Sequence, residues 1–292
     1  MENKATETAW GPMFQVALEQ FFPERQRIIH DAFVNRFMPS SLQRLVNLNR
    51  FDFIRRMILN LMERKVPGIR GGILCRKRYI YEKLNDALKN GIQSVVILGA
   101  GFDTLAYRVP ELASQQVYEV DFPEIMQSKK VLLQRLLGHV PAHVKLVPVD
   151  FDSQDLEVVL QQSGYQEIEP AFFIWEGVTQ YISETAVRKV FECLRKSAPG
   201  SQLVFTYIRK DFIDGEQMHG LKTLYDQTIT KNQLWKFGFE PEAIGDFLSQ
   251  YSWREVEQAG KVEYQKRYLD PANRVLMVME VERAVYAERI AN

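Results

Sequence analysis

The sequence predicts an α/β protein built on a seven-stranded, mostly parallel sheet with helices on both faces. Three observations predict it. From Ser94 onward, short apolar runs alternate with helical stretches. The first run, Ser94-Val95-Val96-Ile97-Leu98, feeds straight into Gly99-Ala100-Gly101, a tight turn where backbone can meet a ligand. The next three runs end in acids: Asp121, Asp150 and Glu176. Ligands of open α/β sheets bind along that carboxyl edge.

Taken in order, residues from about 13 to 88 read as helical. Phe51, Ile54, Ile58 and Leu61 recur at helical spacing, as do Ile80, Leu84 and Leu88. Pro39, Pro67-Gly68 and Gly71-Gly72 punctuate the stretch, and Asn90-Gly91 closes its last helix. Residues 1–90 are therefore expected to form a helical N-terminal cap, and residues 91–292 the sheet. Strands are expected at residues 94–98, 116–120, 144–149, 172–175 and 202–208, with helices at 123–137, 156–163 and 184–197. Residues 209–240 are mixed polar and aromatic, an insertion after strand five expected to act as a substrate lid. Pro241 opens a helix to about residue 250. Residues 253–257 and 274–282 read as the last two strands, a partly antiparallel pair, the second apolar on both faces.

Composition is that of a soluble globular chain: 292 residues, 46% apolar and 25% charged. Lys+Arg and Asp+Glu are both 37, so bulk charge attracts neither nucleic acid nor membrane. Arg55-Arg56 and Arg76-Lys77-Arg78 are local basic runs that read mostly as solvated helix faces. Cys75 and Cys193 alone make neither a disulfide framework nor a zinc set. A reducing cytoplasm is expected, since the start of the chain has no apolar signal core and no run approaches membrane-spanning length.

The glycine turn narrows the ligand. A dinucleotide fingerprint needs a third glycine at position 104, which is Thr104. Asp103 would repel a pyrophosphate but suits a cationic or zwitterionic ligand, which favours S-adenosylmethionine over NAD. Asp121, 18 residues beyond Asp103, fits two ribose hydroxyls; its plain alternative is an N-cap for the helix after Pro123. Glu119 is expected on the alternate face of the strand, where it would not share that ligand. Asp150 stands where an adenine amino group would lie, with Phe151 as backbone donor or apolar wall; Asp152 is a competing helix cap. Glu176 could pair with the cofactor's ammonium and stabilise the sulfonium, or hold its own turn.

Gly99-Ala100-Gly101-Phe102-Asp103-Thr104, Tyr118-Glu119-Val120-Asp121-Phe122-Pro123 and Trp175-Glu176-Gly177-Val178-Thr179-Gln180-Tyr181 together resemble the leucine carboxyl methyltransferase-like family of class I S-adenosylmethionine-dependent methyltransferases. The resemblance runs over roughly residues 70 to 285 and takes in Arg76 upstream and Phe237 to Pro241 downstream. It implies a Rossmann-like fold with a helical cap and an S-adenosylmethionine cofactor, leaving S-adenosylhomocysteine as product. It further implies that Arg76 grips the methionine carboxylate, Gly99, Ala100 and Gly101 form the turn beneath the methionine part, Asp121 sits at the ribose, Asp150 and Phe151 at the adenine, Glu176 near the methionine end, and Phe122 also touches the cofactor. Tyr181 would line the active site.

Methyl transfer from a sulfonium is an in-line displacement, so alignment and exclusion of water are the main demands. Tyr181, Trp175 and Phe102 are candidate aromatic faces for the cation, or simply core. A carboxylate acceptor needs no base, whereas a hydroxyl does. His219 in the insertion and His30 in the cap are the histidines that could reach an acceptor; His139 and His143 flank the opposite edge. The leading expectation is O-methylation of a small metabolite, with protein C-terminal carboxyl methylation or N-methylation as variants. A non-catalytic cofactor-binding protein and an NAD-type oxidoreductase are the readings of another class.

Overall fold

A computed structural model describes residues 2–151 and 154–291 of the chain. Five helices come first: α1 (Glu2–Glu19), α2 (Val34–Phe37), α3 (Ser40–Leu48), α4 (Asp52–Lys65) and α5 (Ile69–Lys89). Asn90 and the left-handed Gly91 (φ 91°) end α5, as the Asn-Gly pair predicts. The sheet follows as β1 (Ser94–Leu98), β2 (Gln116–Asp121), β3 (Val144–Pro148), β4 (Ala171–Trp175) and β5 (Gln202–Ile208), interleaved with α6 (Leu105–Arg108), α7 (Pro123–Leu137), α8 (Leu156–Gln162) and α9 (Glu184–Leu194). The insertion contributes α10 (Lys210–Ile213) and α11 (Lys222–Tyr225). The chain ends with α12 (Ile244–Ser249), β6 (Trp253–Ala259), α13 (Lys261–Tyr264) and β7 (Glu282–Arg289).

The strands form one seven-stranded sheet in the order β3-β2-β1-β4-β5-β7-β6. β7 runs antiparallel to both its neighbours, β5 and β6. Order reverses between β1 and β4, the switch point at which open α/β sheets bind ligands. Alternate strand residues feed two apolar cores: Val95, Ile97 and Val117 on one face, Val96, Leu98, Tyr118 and Val120 on the other. The first strands read as continuous hydrophobic runs because helices cover both faces. No helix among the described residues is long and apolar enough to cross a membrane.

Two expectations fail for one reason. Residues 274–281 are not a strand; β7 starts only at Glu282. They lie instead across the start of α5, where the Met279 N–H donates to the Gly68 carbonyl at 3.0 Å. Gly71 and Gly72 do not interrupt the helix but sit inside α5. A Cβ on Gly71 would stand 2.0 Å from the Met277 carbonyl oxygen, so the glycine lets that backbone press onto the helix. The apolar side chains on both sides of this segment reflect burial of Val278 and Val281 against helices, while Val275 stands in solvent. Elsewhere α8 is capped by Asp155, whose side chain accepts from the Glu157 N–H at 2.9 Å. The rival cap, Asp152, lies outside the described residues.

Glu119 does not lie on the opposite face to Asp121 as expected, because residues two apart on a strand share a face. It is fully buried on the same face of β2 as Asp121, two residues on, and is taken up there by Lys129 of α7 at 2.8 Å and the Tyr107 hydroxyl at 2.5 Å. Removing one member of such a pair strands a buried charge. We expect Lys129→Met to cost about 3–5 kcal/mol in urea unfolding, and the double variant with Glu119→Gln to recover much of that loss.

Candidate functional site

The glycine turn at the end of β1 is tied to β2 by its backbone. The N–H groups of Gly99 and Ala100 both donate to the Val120 carbonyl, at 2.8 and 3.0 Å. Gly99 (φ 69°) and Gly101 (φ 46°) are left-handed. A Cβ on Gly99 would lie 2.2 Å from Val178 Cγ2, so this glycine is required by the loop after β4. Gly101 N–H donates to Asp121 at 2.6 Å, and the Phe122 N–H donates to its other oxygen at 2.7 Å. Asp121 therefore braces the turn and does not cap α7 through its side chain. Burial pushes its carboxyl up, and those two N–H groups pull it back. Each carboxylate oxygen keeps a lone pair for a further donor.

Further along the edge, Phe122 and Phe151 meet edge to face, 6.1 Å between ring centroids. They bring the ends of β2 and β3 together beside Asp150. The Asp150 N–H donates to the Gln154 side chain at 2.9 Å.

At the other end of the turn lies a cluster of buried and half-buried charges. Arg76, on α5, donates through Nε to Glu176 at 2.7 Å and through Nη1 to Glu282 at the start of β7. Lys77 joins Asp103 to Glu176, the latter at 3.0 Å. Against their own burial, Glu282 and Glu176 hold the Arg76 guanidinium charged, and Asp103 and Glu176 do the same for Lys77. Burial opposes the charge on Asp103, but Lys77 and Arg108 hold it well below the usual carboxylate range. Asp103 also accepts from the Leu105 N–H at 2.7 Å, starting α6. Lys77 was expected in solvent with Arg78; only Arg78 is there. Its signal was adjacency to Arg76 on one helix, but its partners lie 26 and 99 residues away. Glu282 was hidden at the end of the misplaced strand.

Thr104, in place of a third glycine, donates its hydroxyl to buried Asp31. Trp10 of α1 stacks on Phe102, with centroids 4.0 Å apart and planes 14° from parallel. The N-terminal helices thus cover the turn. The loop after β4 is braced by Gly177 N–H to Thr206 Oγ1 at 2.7 Å and Thr179 Oγ1 to the Thr206 carbonyl at 2.8 Å. Tyr181 follows it, and the Lys236 N–H of the insertion donates to the Gln180 carbonyl at 2.7 Å. Burial raises the Tyr181 phenol, while Trp235 and Arg76 lower it.

His219 (φ 46°) pairs with Asp211 at 3.1 Å, an acid that Arg209 also grips at 2.7 Å. Among the described residues, no hydrogen bond or ion pair joins His219 to Arg76, Glu176 or Tyr181. His30 and His139 are exposed, and His143 meets the Ala106 carbonyl at 3.0 Å. Trp175 is fully buried core, packed on Phe191.

The sequence profile described as leucine carboxyl methyltransferase matches residues 9–195. A protein of Mycobacterium avium (strain 104), described as "Putative S-adenosyl-L-methionine-dependent methyltransferase", is 34% identical over 47% of this chain and 46% of its own length. A second, of Mycobacteroides abscessus and bearing the same description, is 26% identical over 72% of this chain and 70% of its own. The chain spans about half the length of the first curated relatives it matches. A crystal structure of "a putative methyltransferase" from Thermobifida fusca YX shares the fold, with a TM-score of 0.56, 17% identity, and coverage of 82% of this chain and 89% of that one.

The low-lying Asp103 sets an acid limit on stability. A carboxyl held below its unfolded value stabilises above that value, and the contribution fades as pH falls toward the folded one. We expect the advantage of wild type over Asp103→Asn to be constant above about pH 5 and to shrink below about pH 4, read from urea midpoints across pH.

Proposed function

Because the chain belongs to the leucine carboxyl methyltransferase family, we propose that it is an S-adenosyl-L-methionine-dependent methyltransferase that O-methylates a small metabolite, at a carboxylate or a hydroxyl. The observation that carries this reading is the charged cluster at the switch point. Two cations, Arg76 and Lys77, face three carboxylates, Asp103, Glu176 and Glu282, so the group is left one negative charge in excess. S-adenosylmethionine offers a carboxylate, an ammonium and a sulfonium, a net positive charge that such a donor set complements.

When bound, the cofactor supplies a methyl group on sulfur that is transferred in line, leaving S-adenosyl-L-homocysteine. The chain's own part is positioning. Arg76 takes the carboxylate of the methionine moiety and Glu176 its ammonium. Gly99, Ala100 and Gly101 give the turn on which that moiety rests, and Asp121 accepts from ribose hydroxyls while Phe122 and Phe151 wall the base and Asp150 faces its amino group. Trp10 on Phe102 excludes water from the turn. Tyr181 lines the acceptor side next to Trp235. His219 pairs with Asp211, which Arg209 also holds; a hydroxyl acceptor would need such a base, whereas a carboxylate acceptor would need none. Cys75 and Cys193 are free thiols, in keeping with a reducing cytoplasm.

Calorimetry with S-adenosylhomocysteine tests the cofactor, and transfer of labelled methyl into a cell extract identifies the acceptor. We expect Asp121→Ala to weaken S-adenosylhomocysteine binding at least ~10-fold, as loss of a charged hydrogen bond worth about 1.5–3 kcal/mol requires. Tight NADH binding with no response to S-adenosylhomocysteine would overturn the reading.

A further inference from the structure

We propose that the face made by α3 and α4 docks on an anionic lipid surface. α4 contributes no buried residue to the protein, although half its length is apolar. Phe53, Met57 and Leu61, four residues apart, form one stripe along it and point into solvent, Phe53 at 78% exposure. Leu45 and Leu48 of α3 and Phe51 between the helices extend the exposed apolar area. An exposed apolar stripe bordered by charged residues marks a binding face.

Charge decides what covers it. Residues 40–65 carry six cations against two carboxylates, Asp52 and Glu63, in a chain whose formal net charge is zero. Arg56 and Arg64, with Asn60 between them, run beside the apolar stripe at the same four-residue spacing, and Arg44, Arg50 and Lys65 are also exposed. Asp52 is already taken up by Arg55 and Arg56, the latter at 2.5 Å. Glu63 is turned inward to accept from the Gly68 N–H at 2.7 Å. The rim is therefore positive around an apolar centre. An interfacial helix uses that pattern, burying its apolar face at the headgroup boundary while its cations meet anionic lipid. A second copy of the chain fits poorly, because a two-fold contact would set this cationic rim against itself.

Vesicle flotation tests the proposal on the whole chain, with phosphatidylcholine vesicles compared with phosphatidylcholine–phosphatidylglycerol vesicles. We expect binding to the anionic vesicles at least ~10-fold stronger than to the neutral ones, and weaker at high salt. The triple variant Phe53→Ser, Met57→Ser, Leu61→Ser and the charge reversal Arg56→Glu, Arg64→Glu should each lower binding at least ~10-fold. All five side chains are solvent-exposed, so melting temperature and S-adenosylhomocysteine binding should match wild type in both variants. Absent or lipid-independent binding would overturn the proposal. So would a dimer in sedimentation equilibrium that the triple variant dissociates, which would make a second copy the occupant.

Discussion

Arg76 holds three distant parts of the chain at one point: α5, the end of β4 through Glu176, and the start of β7 through Glu282. Lys77, one residue on, reaches Asp103 in the glycine turn. None of these groups can be neutralised cheaply, because Arg76 and Glu282 are buried, the others are half-buried, and each charge compensates another. Breaking one pair leaves a charge largely out of water with one partner fewer to offset it. The carboxyl edge of the sheet is thus fixed by electrostatics, while the apolar cores fix the sheet behind it. The glycine turn is held from three further sides: by Val120 and Asp121 from β2, by Val178 from the loop after β4, and by Thr104 to Asp31 from the N-terminal region.

Much of this frame was legible in the sequence, and the reasons are local. β1 to β5 were found because a strand covered on both faces is a short apolar run, and a run has visible ends. The site's edge was legible because acids at the ends of apolar strands need partners. What failed depended on contacts between remote residues. Nothing around Gly71 or Gly72 announces that Met277 and Met279 will lie on them 200 residues later, so the pair read as a break in α5 and residues 274–281 as a strand. Lys77 looked like surface because a basic triplet on a helix is usually solvated; its burial is dictated by Asp103 and Glu176, which periodicity cannot connect to it.

Thr104 shows how a departure from a motif can carry information of its own. A glycine there lets a helix pack closely on a strand in dinucleotide-binding folds. Here the position instead supplies a hydroxyl to buried Asp31, whose carboxyl is pushed up by burial and drawn down by Arg108 and Thr104. Asp31 in turn accepts from the N–H groups of Phe33 and Val34, both at 2.9 Å, and so begins α2. The turn and the N-terminal helices are therefore one hydrogen-bonded unit, with Trp10 closing it by stacking on Phe102.

That coupling has a consequence for ligand binding under the function proposed here. Arg76 already engages two carboxylates and Lys77 two more contacts, so a cofactor carboxylate does not meet bare cations; it exchanges with internal partners. Exchange of one charged hydrogen bond for another contributes little net affinity. Affinity must then come chiefly from contacts that have no internal competitor: the remaining lone pairs of Asp121 and the aromatic walls of Phe122 and Phe151. The charged end is left to set orientation, which an in-line displacement needs more than it needs tightness. The charge cluster that stabilises the fold would then also orient the ligand, by giving up an internal partner for one the ligand brings.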